Sequence, residues 1–358
     1  MRAAVLTGFQ TPMEIHEVEI ADPGPGEVRV RIAASGVCGS DLKAIDGKSP
    51  VVARLPFVLG HESAGVVEST GPGVTGVRPG DHVVIAMNGP CGRCGGCRAG
   101  RFHLCSAPAR MTAIMGGPPR LTLAGEEVRR FIGIGSFAEY TVVSEAMCVP
   151  IPPDTPPAAA CLLACGVVTG VGAVLNVARV TPGSAVLVAG CGGVGLNVIQ
   201  GAVLAGATTI IAADVAEGKL KLAEHFGATH SLLPTDLPTQ VGELCGGGVD
   251  YAFDVTGVPG VLAQTFAATR PGGTTVMVGN PGRPVELDPA LLFASRRLMG
   301  TQGGDAVPHR DLPMLAEQYR LGRLDLDGLI TEQLPLDRLN EAVTHVRQGT
   351  VARTIIVF

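Results

Sequence analysis

Four cysteines crowd into one short stretch, with the spacing Cys91-x2-Cys94-x2-Cys97-x7-Cys105. Four soft thiolates so close together can close a tetrahedral zinc site that leaves no coordination position open, which is the mark of a structural metal. An iron–sulfur cluster also uses Cys-x2-Cys-x2-Cys. Its fourth spacing differs, however, and its following Cys-Pro is missing here, so zinc is the better fit. His103 lies inside the run as a bystander on its loop.

A second constellation is Gly190-Cys191-Gly192-Gly193-Val194-Gly195, which fits G-x-G-x-x-G. The pattern alone is weak in a chain with 50 glycines. Its context is more specific. It follows the continuous apolar run Ala185–Ala189, opens a helical pattern over Val194–Leu204, and a second strand pattern, Thr209–Ala213, ends at Asp214. Glycines there allow a tight turn and close approach to a pyrophosphate, and the helix N-terminus offers free N–H groups. A carboxylate such as Asp214 accepts bonds from ribose hydroxyls and repels a 2′-phosphate, which favours NAD over NADP.

A third set must be assembled from distant residues. Cys38 sits in Gly36-Val37-Cys38-Gly39-Ser40-Asp41, His61 in Gly60-His61-Glu62, and Cys165 in Cys165-Gly166-Val167-Val168-Thr169-Gly170. Two thiolates and an imidazole leave one position for water or an alcohol, as catalytic zinc requires. Spacing alone does not bring these three together. A lone buried cysteine is more often a small hydrophobe.

The elements around these residues divide the chain. Up to about residue 150 it reads as irregular β structure, with strands expected at Glu27–Ala33, Glu62–Thr70, His82–Met87 and Phe137–Val143 between Pro/Gly turns. From about residue 165 to 300, apolar strands alternate with helical patterns. Strands are expected at Ala185–Ala189, Thr209–Ala213, Asp250–Val255 and Thr274–Val278, with a further helix over Glu217–Phe226. That alternation predicts a parallel sheet wrapped by helices. A helix at Leu339–Gln348 and a strand at Thr354–Phe358 return to the texture of the first part.

The 358 residues are 46% hydrophobic and 16% charged, enough for two domains with sizeable cores. A net charge of −5 gives no basic face for nucleic acid. Gly, Pro or a charge breaks each apolar run before about 18 residues, so no membrane span is expected. The opening Met1–Thr7 is too soon polar for a secretory signal. Of ten cysteines, four crowd into Cys91–Cys105, which in a chain of this size argues for metal over disulfides, and a cytoplasmic protein is expected.

GVCGSD (36–41), GHE (60–62), the four-cysteine lobe, CG-x-x-TG (165–170), GCGGVG (190–195), Asp214 and RTI (353–355) together resemble the zinc-containing alcohol dehydrogenases of the medium-chain dehydrogenase/reductase superfamily. The resemblance runs nearly end to end. It implies an α/β chain: a GroES-like β-rich catalytic domain, 1–166 and 303–358, plus a Rossmann doubly wound domain, 167–302, with the active site in the cleft between them. It implies NAD and two zinc ions per chain, one held by Cys38, His61 and Cys165 with Glu62 as an alternative ligand, the other by the four-cysteine lobe. Asp41 would orient His61. Ser40 would take the alcohol proton and pass it outward. Thr169 and Val194 would position the nicotinamide, Lys219 the adenosine ribose, and Arg353 the pyrophosphate. Met87 and Phe137 would line the substrate pocket.

Two positions depart from the pattern. Gly39 replaces a residue that is often basic and touches the pyrophosphate, and Lys43 stands where many relatives end a proton relay in histidine. A loop over roughly Met111–Arg130 resembles the dimeric animal and plant branch and its glutathione-linked formaldehyde relatives, so a homodimer is expected. The resulting expectation is an NAD-linked oxidation of a small primary alcohol, aliphatic, benzylic or terpenoid. The alternatives are a thiol-dependent formaldehyde dehydrogenase, with Arg110 at its pocket mouth, and a non-catalytic nucleotide-binding relative. Such relatives usually lose zinc ligands, and here all are present.

Overall fold

A computed structural model describes residues 1–358 except 53, 88, 108–114, 116 and 350. Its chain forms two compact units, Met1–Cys165 with Val307–Phe358, and Gly166–Ala306. Arg110 and the first part of the expected loop lie outside the described residues.

The first unit is built on the ten-residue strand Glu27–Gly36. Val28, Val30, Ile32 and Ala34 alternate inward and are all buried, as a half-buried strand requires. Val28, Val30 and Ile32 pack with Val67, Val83, Ile85, Val143 and Met147. Glu62–Thr70 pairs antiparallel along this strand, with Gly36 opposite Glu62. The closing strand Arg353–Val357 pairs on its other side, with Ile355 opposite Gly36. Three residues far apart in sequence therefore meet at one strand end. Among the described residues, a second sheet of the unit runs in the order Glu14–Glu17, Arg2–Leu6, Phe57–Val58, Glu126–Arg130, Leu121–Leu123, Glu19–Ile20.

Within the expected loop, Leu121–Leu123 and Glu126–Arg130 form an antiparallel hairpin. Its two-residue turn, Ala124 and Gly125, has positive φ at both positions (51° and 83°), which suits the right-handed twist of the strands. Four charges in Glu126–Arg130 mask it in the sequence.

The second unit is a parallel sheet in the order His230–Leu232, Thr209–Ala213, Ala185–Ala189, Val249–Asp254, Thr269–Met277, Arg297–Gly300. Val186, Leu187, Val188 and Ala189 are each at most 1% exposed, which explains their unbroken apolar run. The chain leaves this central strand toward one edge and later returns to its other side. That reversal creates a switch point at the carboxyl ends of Ala185–Ala189 and Val249–Asp254. The strands His230–Leu232 and Arg297–Gly300 were not expected. They are short, partly polar and at the sheet edges, where alternation is weak.

Among the described residues one helical run, Pro157–Ala178, is long and apolar enough to cross a membrane, contrary to the sequence expectation. Its glycines do not interrupt it, and 78% of its most apolar stretch is buried inside the protein, as in a core helix.

Candidate functional site

The end of Glu27–Gly36 feeds a short helix, Gly39–Ile45, with Cys38 as its N-cap. Asp41 in its first turn is fully buried. It accepts the N–H of Cys38 (3.0 Å) and of Gly60 (3.1 Å) and pairs with His61 Nδ1 (3.3 Å). With Nδ1–H directed at a carboxylate, the imidazole presents Nε2 to the site, the usual arrangement behind a metal-bound histidine. Cys165 arrives from the helical run and completes the set. Ligand atoms of Cys38, His61, Glu62 and Cys165 all lie within 4.8 Å of one another.

The set has its own charge balance. Cys38 and Cys165 share a hydrogen bond that draws the Cys38 thiol well below its ordinary pKa, against burial, and pushes Cys165 well above it. Burial opposes charge on His61, yet Asp41 and Cys38 outweigh it and hold the imidazole pKa well above the ordinary value. Burial raises Glu62 to about 7 against the pull of Arg353. Arg353 is 6% exposed and bonds both Glu62 oxygens, at 3.2 and 3.4 Å. Sequence reasoning gave this arginine the pyrophosphate. The structure puts it beneath the donor set as the partner of Glu62, where a lone buried carboxylate would be costly.

Gly36 is required by the same geometry. A Cβ there would lie 2.6 Å from Glu62 Oε2. Ser40 Oγ sits 3.1 Å from His61 Nε2. Phe131 packs its ring edge-on to His61, with centroids 5.5 Å apart. The next residue, Ile132, has φ +55°, a conformation that a β-branched side chain rarely adopts and that tends to mark functional sites. Sequence reasoning missed Phe131 and Ile132. It chose Phe137, which is buried in the same core cluster as Phe131, Phe57 and Leu59. Met87 is half-buried in the turn after His82–Ile85, and Lys43 is exposed.

In the four-cysteine lobe all Sγ atoms lie within 4.8 Å of one another, and Cys91 Sγ is 3.9 Å from Cys97 Sγ. A tetrahedron with bonds near 2.3 Å has edges of about 3.8 Å, so the donors fit zinc. Backbone N–H groups of Arg93 and Cys94 lower the pKa of Cys91, and those of Cys97 and Ser106 lower Cys94 to about 5. Burial and the Cys94 bond push Cys97 up to about 12. The chemistry of the first set also fits: two sulfurs, one nitrogen and a carboxylate behind them suit a zinc with a position to spare.

In the second unit the helix Gly193–Leu204 starts from Gly192. Gly190 has φ +97°, and a Cβ at Gly195 would lie 1.8 Å from the Gly190 oxygen, so neither position admits a side chain. Thr169 lies on the short helix Val168–Gly172. That helix packs so closely that a Cβ at Gly170 would lie 2.6 Å from the Val194 oxygen. Asp214 closes the next strand, and Lys219 is half-buried one turn into the following helix, Glu217–His225. The turn, its helix N-terminus and the carboxylate are those of a dinucleotide site.

Residues 24–153 match the alcohol dehydrogenase GroES-like domain, and residues 193–318 match the zinc-binding dehydrogenase domain. The chain is 39% identical, over 99% of its length and 96% of the relative's, to a probable S-(hydroxymethyl)glutathione dehydrogenase 1 of Schizosaccharomyces pombe. The chain belongs to the zinc-dependent alcohol dehydrogenase family. Its fold is that of solved members. An alcohol dehydrogenase zinc-binding domain protein from Burkholderia ambifaria superposes with a TM-score of 0.94 at 36% identity, covering 100% of this chain and 98% of that one. Benzyl alcohol dehydrogenase from Acinetobacter calcoaceticus superposes with a TM-score of 0.92 at 34% identity, covering 100% and 99%. As a family member the protein is an oxidoreductase of the medium-chain dehydrogenase/reductase superfamily, and its cofactors are NAD and zinc.

Proposed function

We propose that the enzyme oxidises a small primary alcohol to its aldehyde, reversibly, and prefers NAD to NADP. The observation that carries this reading is the donor set itself: Cys38, His61 and Cys165 leave one position free, with the Ser40 hydroxyl 3.1 Å from His61 Nε2. Zinc held there would supply a Lewis acid for the alcohol oxygen, and NAD the hydride acceptor. The chain's own groups do the rest. Ser40 can accept the proton leaving the alcohol while donating its own outward, which a relay requires. Asp41 fixes the His61 ring, and Arg353 neutralises Glu62 so that a carboxylate can stand behind the site. Phe131, packed edge-on against His61, gives the site an apolar neighbour, which suits an aliphatic or benzylic substrate better than a charged one. Asp214 sets the preference for an unphosphorylated ribose. Lys219 assists at that ribose, and Thr169 and Val194 at the nicotinamide.

The relative at 39% identity favours a second reading, a thiol-dependent formaldehyde dehydrogenase. NADH formation from formaldehyde that needs added glutathione, with no turnover of simple primary alcohols, would select it.

We further propose a homodimer joined through the edge strand Arg297–Gly300, whose outer side is unpaired among the described residues. Beside it Leu292, Phe293 and Met299 are 49%, 95% and 39% exposed. Zinc-competent thiols suit a reducing compartment, and the cytoplasm is the proposed location.

A further inference from the structure

Asp214 is 9% exposed, and its carboxylate holds two backbone donors. Oδ2 accepts the N–H of Cys191 at 2.8 Å, and Oδ1 accepts the N–H of Ala216 at 3.0 Å. The first bond crosses from one βα turn to the next. The parallel ladder between Ala185–Ala189 and Thr209–Ala213 continues one step further, as Gly190 N–H meets Ala213 O at 2.8 Å. The chain then swings away toward its helix, so the next donor, Cys191 N–H, has no strand acceptor. Asp214 supplies one from its side chain. Cys191 is 1% exposed, so water cannot easily take that place, and a buried N–H left unpaired is costly. The second bond ties down Ala216, the N-cap of Glu217–His225.

We propose that Asp214 is a positioning residue for the glycine-rich turn in addition to reading the ribose. One side chain then carries both the shape of the phosphate-binding turn and the choice of dinucleotide. The consequence is specific. If Asp214 only discriminated against a 2′-phosphate, removing it would free the site for NADPH. Because it also braces the turn that receives the pyrophosphate, removing it weakens NADPH and NADH binding together. The ligand side of this inference rests on the dinucleotide reading above; the brace does not.

The experiment is hydrogen–deuterium exchange of the cofactor-free full-length protein, wild type, Asp214→Ala and Asp214→Asn, followed by binding titrations that use the fluorescence of NADH and NADPH. Exchange in the segment covering residues 190–196 should rise about tenfold or more in Asp214→Ala while the strand Val249–Asp254 is unchanged. Asp214→Asn keeps one acceptor oxygen and should fall between the two, and it serves alone should the alanine variant fail to fold. NADH affinity should drop about tenfold or more in Asp214→Ala, and NADPH should stay weaker than NADH is in wild type. Exchange within about twofold of wild type in both variants would overturn the brace. So would an Asp214→Ala protein that binds NADPH as tightly as wild type binds NADH. A wild type that prefers NADPH would overturn the cofactor reading instead, and the exchange data would still decide the brace.

Discussion

Gly36 and Glu62 face each other across neighbouring strands, and the missing side chain of the first is the space that the carboxylate of the second occupies. Gly36→Ala would drive a methyl to 2.6 Å from Glu62 Oε2, so either the Glu62–Arg353 pair or the strand must move. We expect a destabilisation of about 1–3 kcal/mol, typical of overpacking, together with a loss of zinc from the Cys38 site. Thermal melting and zinc content of the purified variant check this. Wild-type values for both would show that the fit is slack.

The relay prediction separates two residues on one helix. Ser40→Ala removes the hydroxyl at His61 Nε2 and should lower kcat roughly 10²-fold or more, with zinc content and NADH affinity little changed. Lys43 is exposed, so water can replace it, and Lys43→Ala should have much less effect. Single-turnover NADH formation across a range of pH compares them. A Ser40→Ala enzyme within about threefold of wild type, or a slower Lys43→Ala, would place the proton path elsewhere.

Gly39 is a glycine without a structural need. It has ordinary helical backbone as the first residue of its helix, and a Cβ there would meet nothing within 4 Å. Gly39→Arg should therefore fold normally. By the family resemblance it should also bind NADH several-fold more tightly and release it more slowly. Stopped-flow displacement of NADH gives the rate, and an unchanged release rate would show that the position does not face the cofactor.

The two metal sets should fail differently. Cys97 is buried in the four-cysteine lobe, and structural zinc contributes folding free energy directly, so Cys97→Ser should lower the melting temperature and the yield. Cys38→Ser should leave a folded, NADH-binding protein with little turnover. Melting curves and NADH titrations of both variants check this. A Cys97→Ser protein that melts like wild type and stays active would contradict a structural role for the lobe.

Local signals made much of this readable in the sequence. The cysteine spacing states a zinc lobe because all four donors come from one loop. The unbroken apolar Ala185–Ala189, followed by glycines, states a central parallel strand and its turn, and Leu339–Gln348 forms the helix expected there. What depended on long-range packing was not readable without the family resemblance. Nothing in residues 36, 62 and 353 tells that three strands bring them to one strand end. The T-shaped contact of Phe131 on His61 and the strained φ of Ile132 arise from tertiary context, so neither residue stands out in the sequence, whereas Phe137, which was chosen, shares its buried cluster with Phe131. The hairpin Leu121–Arg130 was hidden because charges fill four of the five positions of Glu126–Arg130, one of them a buried arginine, so no hydrophobic alternation shows.

The most direct test is NADH formation from a panel of aliphatic, benzylic and terpenoid primary alcohols, without and with glutathione, by protein whose zinc has been measured. The account predicts two zinc ions per chain and thiol-independent NADH formation from at least one alcohol. Selective removal of the zinc held by Cys38, His61 and Cys165 should abolish that activity. Protein that carries both zinc ions, binds NADH, and yet forms no NADH from any of these alcohols without a thiol would contradict it.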